Sequence, residues 1–246
     1  MTPPRRYTDL APFWPLLSPP AAYADEARTL RPWLLEAADA PPSTLLELGS
    51  GAGSLASHFT PALALVLCDR SAEMLAASQV TNPSAEHVLG DMRTLRLGRT
   101  FDLVLVHDAV MYAVTADDAR ATIATAAAHC RSGGGLMVVP DFVAETFEPD
   151  ENAGEATAPD GRTLHYVERK SAPEPGALSY AMTWDFTLRE ADGTTHTWTE
   201  QAHYALFPRQ AWCDWLDDAG IDARVRRDPW GRDVFVGRRR PAAVSG

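Results

Sequence analysis

The run Thr44-Leu45-Leu46-Glu47-Leu48-Gly49-Ser50-Gly51-Ala52-Gly53-Ser54 constrains this chain more than any other. A short apolar stretch carrying an acid breaks into three alternating glycines, and Ser54 to Phe59 can start a helix. Strand, glycine turn and helix, in that order, open an α/β nucleotide-cofactor fold. Glycine lacks a Cβ, so the backbone turns sharply there and a ligand can approach it closely. A glycine motif by itself is weak evidence, because an ordinary strand-to-helix turn can be glycine-rich.

Three further segments follow in the matching order. Leu63 to Cys68 is a second buried-strand run ending at Asp69, roughly twenty residues after Glu47, where an acid can accept hydrogen bonds from a ribose diol. Arg70, Ser71, Glu73 and Met74 lead into a helical stretch through Gln79. Glu86-His87-Val88-Leu89-Gly90-Asp91-Met92-Arg93 is the third segment, and Phe101 to Val106, emptying into His107-Asp108, is the fourth. A nicotinamide fingerprint requires Gly-x-Gly-x-x-Gly, but position 54 is Ser54 and the third glycine comes one residue early, at Gly53. An NAD(P)-dependent oxidoreductase is therefore a minor alternative.

The spacing Glu-x-Gly-x-Gly-x-Gly resembles the first motif of class I S-adenosylmethionine (SAM)-dependent methyltransferases. Gly90-Asp91-Met92-Arg93 with Leu97-Gly98-Arg99-Thr100-Phe101, Glu145-Thr146-Phe147, Leu206-Phe207, and Gly231-Arg232 with Phe235-Val236-Gly237 resemble the TDP-aminosugar N,N-dimethyltransferase branch. The resemblance implies SAM as cofactor and S-adenosylhomocysteine as product. It implies cofactor contacts from Tyr23, Glu47, Gly49, Ser50, Gly51, Gly53, Asp69, Arg70, Met74, Asp91, Met92 and His107: the glycines against the methionine part, Glu47 orienting the loop and the amino group, Asp69 on the ribose, and Asp91 and Met92 on the adenine. His107 falls where the family contacts the amino group through its backbone. Tyr7 and Tyr23 can close over the cofactor or simply pack. The chain departs from the branch at His107-Asp108-Ala109-Val110-Met111-Tyr112, a more charged stretch.

With 246 residues and 46% apolar content, the chain can hold one sizeable α/β domain with a subdomain. A formal charge of −11 disfavours nucleic acid and anionic membranes as partners. The one basic cluster, Arg238-Arg239-Arg240, reads as a solvated tail. Cys68, Cys130 and Cys213 are odd in number and far apart, with no metal-ligand or disulfide spacing, which suits a reducing cytoplasm. No run reaches transmembrane length, and prolines interrupt the stretch after Arg5-Arg6, so no export signal is expected. No metal site is expected.

The organisation reads as four parts. Residues 1–40 form a helical cap whose apolar Tyr7, Leu10, Phe13, Trp14, Leu16 and Leu17 must pack; a helix from Tyr23 to Ala38 is kinked or broken at Pro32. Residues 41–147 form a Rossmann-like core with strands near 44–48, 63–68, 86–89, 101–107 and 135–140 and helices near 54–59, 71–79 and 116–130, the last stopping at Gly133-Gly134-Gly135. Residues 148–204 hold an acidic mobile loop, Glu148 to Gly161, then an antiparallel β insertion in which Tyr180, Met182, Trp184, Phe186 and Leu188 share one face and Asp192-Gly193 makes a hairpin turn. Residues 205–246 return to the core with a helix and the last two strands. The fold class is α/β: a doubly wound, mainly parallel seven-stranded Rossmann-like sheet with an antiparallel insertion.

The expected reaction is methyl transfer to a small-molecule amine or hydroxyl, including an aminosugar or other natural-product-like acceptor. Carboxylate O-methylation and SAM binding without catalysis are the alternatives. Strand C-termini deliver Glu47, Asp69, Asp91, His107 and Asp141 to the crevice. For proton removal the candidates are His107, Asp108, Tyr112, Asp141 and His203; His107 and Asp108 can equally form a structural pair. The aromatic row can line an acceptor pocket, cover the core, or join two subunits into a homodimer.

Overall fold

The computed structural model describes residues 8, 13–158 and 160–241; Tyr7 and Leu10 lie outside these. The elements, in chain order, are α1 (Trp14–Leu17), α2 (Ala24–Ala37), β1 (Thr44–Leu48), β2 (Ala64–Asp69), α3 (Ala72–Thr81), β3 (Glu86–Leu89), β4 (Phe101–His107), α4 (Ala116–His129), β5 (Cys130–Val139), β6 (Asp150–Thr157), β7 (Thr163–Lys170), β8 (Ser179–Arg189), β9 (Thr195–Ala205), α5 (Arg209–Asp218), β10 (Ile221–Arg227) and β11 (Asp233–Arg239).

Seven strands form the main sheet in the order β10-β11-β5-β4-β1-β2-β3. Strands β1 to β5 pair in parallel, while β11 runs antiparallel to both β5 and β10. The order reverses at β1, so the crevice above β1 and β4 is where a ligand is expected to sit. Near-continuous burial of β1, β2 and β4 follows from cover on both faces. Among the described residues, no helix is long and apolar enough to cross a membrane.

Five local expectations are corrected. Residues Ala56–Phe59 form a single 3-10 turn instead of an α-helix; the loop before them spends its residues on three positive-φ glycines. Helix α2 runs unbroken through Pro32, with Leu30 and Leu34 fully buried on either side, so packing outweighs the lost hydrogen bond. Helix α4 ends at His129, and the three glycines lie inside β5. The pairing of β4 with β5 jumps from Phe101↔Cys130 to Leu103↔Gly135, which makes Gly133-Gly134 part of a bulge.

The acidic stretch after Glu148 is a strand where a mobile loop was expected. β6 pairs with β7 along its whole length, Asp150↔Lys170 to Thr157↔Thr163. Its acids meet bases: Glu151 bonds Arg169 at 2.6 Å and Asp150 lies 3.3 Å from Lys170. Tyr166 covers Gly154 so closely that a Cβ there would stand 2.5 Å from the phenol oxygen. Finally, Arg238 and Arg239 belong to β11 and bond the Ala37 and Ala219 carbonyls, and Arg240 pairs with Asp217, so this cluster is not a solvated tail.

The second sheet has the order β6-β7-β8-β9, all antiparallel. Tyr180, Met182, Trp184, Phe186 and Leu188 point inward and join the main core beside Phe207 and Trp212. The aromatic row therefore covers the core. Arg162 stacks 4.8 Å over the buried Phe13, tying the N-terminal segment to this sheet.

Candidate active site

The glycine loop is shaped from beneath by strand β2. The Gly49 and Ser50 N–H groups both donate to the Cys68 carbonyl, at 2.8 and 2.9 Å. Asp69 accepts from the Gly51 N–H at 2.8 Å and from the Ser71 N–H at 2.9 Å. These bonds pin the loop to the end of β2 and leave lone pairs on the carboxylate for a further donor. Burial nevertheless raises the Asp69 pKa, against those backbone hydrogen bonds. Ser71 caps α3 by accepting from the Met74 N–H.

The three glycines serve different neighbours. A Cβ on Gly49 would stand 2.2 Å from the Ala109 Cβ, and one on Gly53 would stand 2.3 Å from the Asn82 amide. A Cβ on Gly51 would meet only the Met74 methyl, at 3.5 Å. Gly49 and Gly53 are thus required by the protein's own packing, whereas a Cβ on Gly51 would make only an ordinary contact with Met74. Met74 is a buried support under the loop, whereas Arg70 is exposed.

Glu47 is 2% exposed, and its Oε2 has no hydrogen-bond partner; the Ser50 hydroxyl is also buried and unpartnered. Burial pushes the Glu47 carboxyl up to about 8, with His107 opposing and Asp108 adding to the shift. An uncompensated buried acid is costly. A cationic amino group beside Glu47 and Ser50 would satisfy both, so the residues present fit the amino-acid end of SAM. Asp91 is clamped by Arg93, with Nε at 2.9 Å, and Arg93 reaches on to Asp118 at 2.8 Å. That clamp holds Asp91 below the usual carboxylate range. The Met92 sulfur lies close to Gly49.

Across the crevice, His107 Nε2 donates to the Glu26 carboxylate on α2 at 2.7 Å and lies 3.2 Å from Asp108. Arg232, in the turn between β10 and β11, also bonds Glu26 and is held by Asp228 at 2.7 Å. Burial works against the charge of His107, but Asp108 and Glu26 outweigh it and raise its pKa to about 9. Burial likewise opposes the charge of Glu26, yet His107 and Arg232 bring it down to about 2. His107 is therefore an imidazolium at neutral pH. Tyr23 packs edge-on to it at 6.2 Å and bonds the Ser18 hydroxyl at 2.7 Å.

Sequence reasoning missed Glu26 and underused Arg232. Both lie far along the chain from His107, and only the unpaired excess of acid in the motifs hinted at a buried cation. Tyr112 bonds Tyr204 on β9 at 2.9 Å. His203 is exposed on β9, next to the buried Tyr204, and does not join these groups. Asp141 follows β5, and burial raises its carboxyl well above the usual carboxylate range. A cavity of about 270 Å³ opens beside Ala22, Glu26, Trp230 and Arg232. A groove of about 300 Å³ lined by Trp33, Arg226 and Arg238 lies instead at the β10 edge of the sheet.

Residues 45–134, which span β1 to the start of β5 and carry every acid of the cofactor side, match the methyltransferase domain family. The chain is a SAM-dependent methyltransferase. Its similarity runs beyond that domain. The dTDP-3-amino-3,4,6-trideoxy-α-D-glucopyranose N,N-dimethyltransferase of Streptomyces venezuelae is 29% identical over 198 residues, covering 79% of this chain and 82% of the relative. The crystal structure of S. venezuelae DesVI superposes with a TM-score of 0.80 at 26% identity, over 95% of this methyltransferase and 97% of that chain. SAM-bound CalS10, an amino pentose methyltransferase from Micromonospora echinaspora, has a TM-score of 0.71 at 26% identity, over 89% of each chain. S-adenosylmethionine is the cofactor of this methyltransferase.

Proposed function

We propose that the methyltransferase N-methylates the amino group of a nucleotide-linked aminosugar. The observation that carries this reading is the extent of the similarity. The match to an aminosugar N,N-dimethyltransferase covers 79% of the chain, and the structural match to DesVI covers 95% of it, second sheet included. The acid-rich crevice supports a cationic substrate. Glu26, Glu47, Asp108 and Asp141 gather near the β4 end, with His107 and Arg232 as counter-charges.

In this reading Glu47 and Ser50 hold the amino group of SAM, Gly51 lies against its methionine part, Asp69 takes the ribose, and Asp91 with Met92 takes the adenine. When bound, SAM supplies an electrophilic methyl group on a sulfonium. The protein aligns the acceptor, excludes water and disposes of a proton. His107 serves as a positioning group: already protonated and bonded to Glu26, it joins α2 to the end of β4. Tyr112 and the aromatic residues around Asp141 line the acceptor side. A cytoplasmic homodimer completes the reading, since three free cysteines fit a reducing compartment.

The test is incubation with SAM and dTDP-3-amino-3,4,6-trideoxy-α-D-glucopyranose, followed by mass analysis. Addition of one and then two methyl groups is expected. Formation of S-adenosylhomocysteine with carboxylate or hydroxyl acceptors but not with the aminosugar would overturn the acceptor assignment.

A further inference from the structure

We propose that Glu47 is a neutral acid in the cofactor-free protein and gives up its proton to water as the cofactor's ammonium group arrives. This rests on the reading above that Glu47 and Ser50 hold that group. Cofactor capture is then a proton-releasing step, and its affinity depends on pH.

The sheet register sets where Glu47 points. Leu45, two residues earlier on β1, packs with Leu30 and Leu34 of α2, so Glu47 faces the α2 side of the sheet. Glu47 pairs with Leu105 on β4, which puts His107, two residues further on, on the same face. The carboxyl is 2% exposed and its Oε2 has no hydrogen-bond partner. The Ser50 hydroxyl, at the start of the glycine loop, is buried and unpartnered as well. Two orphaned oxygen groups three residues apart make an incomplete polar site beside the cofactor loop.

The cations on this face are committed elsewhere. His107 lies 2.7 Å from Glu26 and 3.2 Å from Asp108. Arg232 bonds Glu26, meets Asp228 at 2.7 Å and lies 3.6 Å from Asp108. Three acids therefore share two cations, and the cluster is in negative excess before Glu47 is counted. Glu47 itself forms no ion pair among the described residues. A carboxylate with neither a counter-charge nor solvent is less stable than the neutral acid.

The charged groups facing Glu47 are His107 and Asp108 from β4, Asp69 from β2 and Glu26 from α2. Only His107 favours ionisation. Burial, with the three acids behind it, outweighs His107 and pushes the Glu47 carboxyl up to about 8. An ammonium group entering beside Glu47 and Ser50 reverses this balance. Its charge favours the carboxylate, and its N–H groups give both orphaned oxygens a donor. The O–H bond of Glu47 breaks, the electron pair stays on the carboxylate, and the proton leaves to water. The ammonium keeps its own protons. A ligand that carries the adenosine but no amino group leaves Glu47 protonated.

The test is calorimetric titration of the full chain with S-adenosylhomocysteine at pH 6.5, in buffers of different ionisation enthalpy. The slope of binding heat against buffer enthalpy counts the protons released. At this pH the ligand's amine is already charged and takes up no proton. The wild type should release about one proton per ligand, and its affinity should rise about tenfold per pH unit from pH 5.5 to 7. E47Q should bind more weakly, release no proton and show a flat pH profile. The wild type should bind 5′-methylthioadenosine, which lacks the amino-acid part, without releasing a proton. Should E47Q fail to fold, the comparison of the two ligands on the wild type carries the test. Binding of S-adenosylhomocysteine to the wild type without proton release overturns the proposal and leaves the cofactor assignment intact. Equal release from E47Q, or equal release by 5′-methylthioadenosine, also overturns it. A folded wild type that does not bind S-adenosylhomocysteine would instead remove the reading on which the proposal rests.

Discussion

At the scale of single residues, the glycine loop separates packing from binding. Gly53 faces the Asn82 amide at 2.3 Å and the Ser78 hydroxyl at 2.5 Å, measured from a built Cβ, and has φ +70°. G53A should therefore cost about 3 kcal/mol of folding stability, from overpacking and strain together. Gly51 meets nothing nearer than 3.5 Å, so G51A should cost only about 1 kcal/mol. It should nevertheless weaken S-adenosylhomocysteine binding at least tenfold. Urea unfolding and calorimetry on the same two proteins check the contrast; equal stability losses would refute it. Tyr180 offers a second case. Its hydroxyl is buried and unpartnered, so Y180F should leave the unfolding midpoint unchanged or higher. A rise in KM for the amine acceptor, with kcat little affected, would mark the hydroxyl as part of the acceptor site.

At the scale of elements, the tether between α2, β4 and the β10–β11 turn makes stability depend on pH. His107 is raised to about 9 from 6.5, so its contribution is full below pH 6.5 and lost as pH rises through 9. Glu26 is lowered to about 2 from 4.5, so its contribution is present above pH 4.5 and lost as pH falls toward 2. Glu47 is raised to about 8 from 4.5, so the cofactor-free protein loses stability as Glu47 is forced to ionise between pH 4.5 and 8. The unfolding midpoint of the cofactor-free protein should fall from pH 6.5 to 9. E26Q should flatten that fall, and E47Q should remove the decline that starts near pH 4.5. A midpoint rising over this window would contradict the tether. Much of this architecture was legible in the chain. Acids at strand ends marked β1 to β4, and the period-two aromatic row marked β8. β6 was not legible, because its apolar content is low and its order comes from partners on β7: Tyr166 over Gly154, and bases opposite its acids. The Glu26–His107 contact was hidden for the same reason, since it joins residues 81 apart in sequence.

At the scale of the whole molecule, one end of the parallel sheet gathers two sets of acids. Glu47, Asp69 and Asp91 come from β1 and β2 and from just after β3, while Asp108 and Asp141 follow β4 and β5. In the proposed reading the first set serves the cofactor and the second faces the acceptor, beside the Tyr180–Tyr204 ring pair of the antiparallel sheet. Because the cofactor completes groups left unsatisfied in the core, binding should stabilise the entire fold. S-adenosylhomocysteine at a hundred times its Kd should add about 2.7 kcal/mol to unfolding. The most direct measurement is calorimetric titration of the purified protein with S-adenosylhomocysteine, beside D69A. The account predicts micromolar binding to the wild type and at least a thirtyfold loss, about 2 kcal/mol, in D69A. A folded wild-type protein that gives no binding heat and no thermal shift would contradict it.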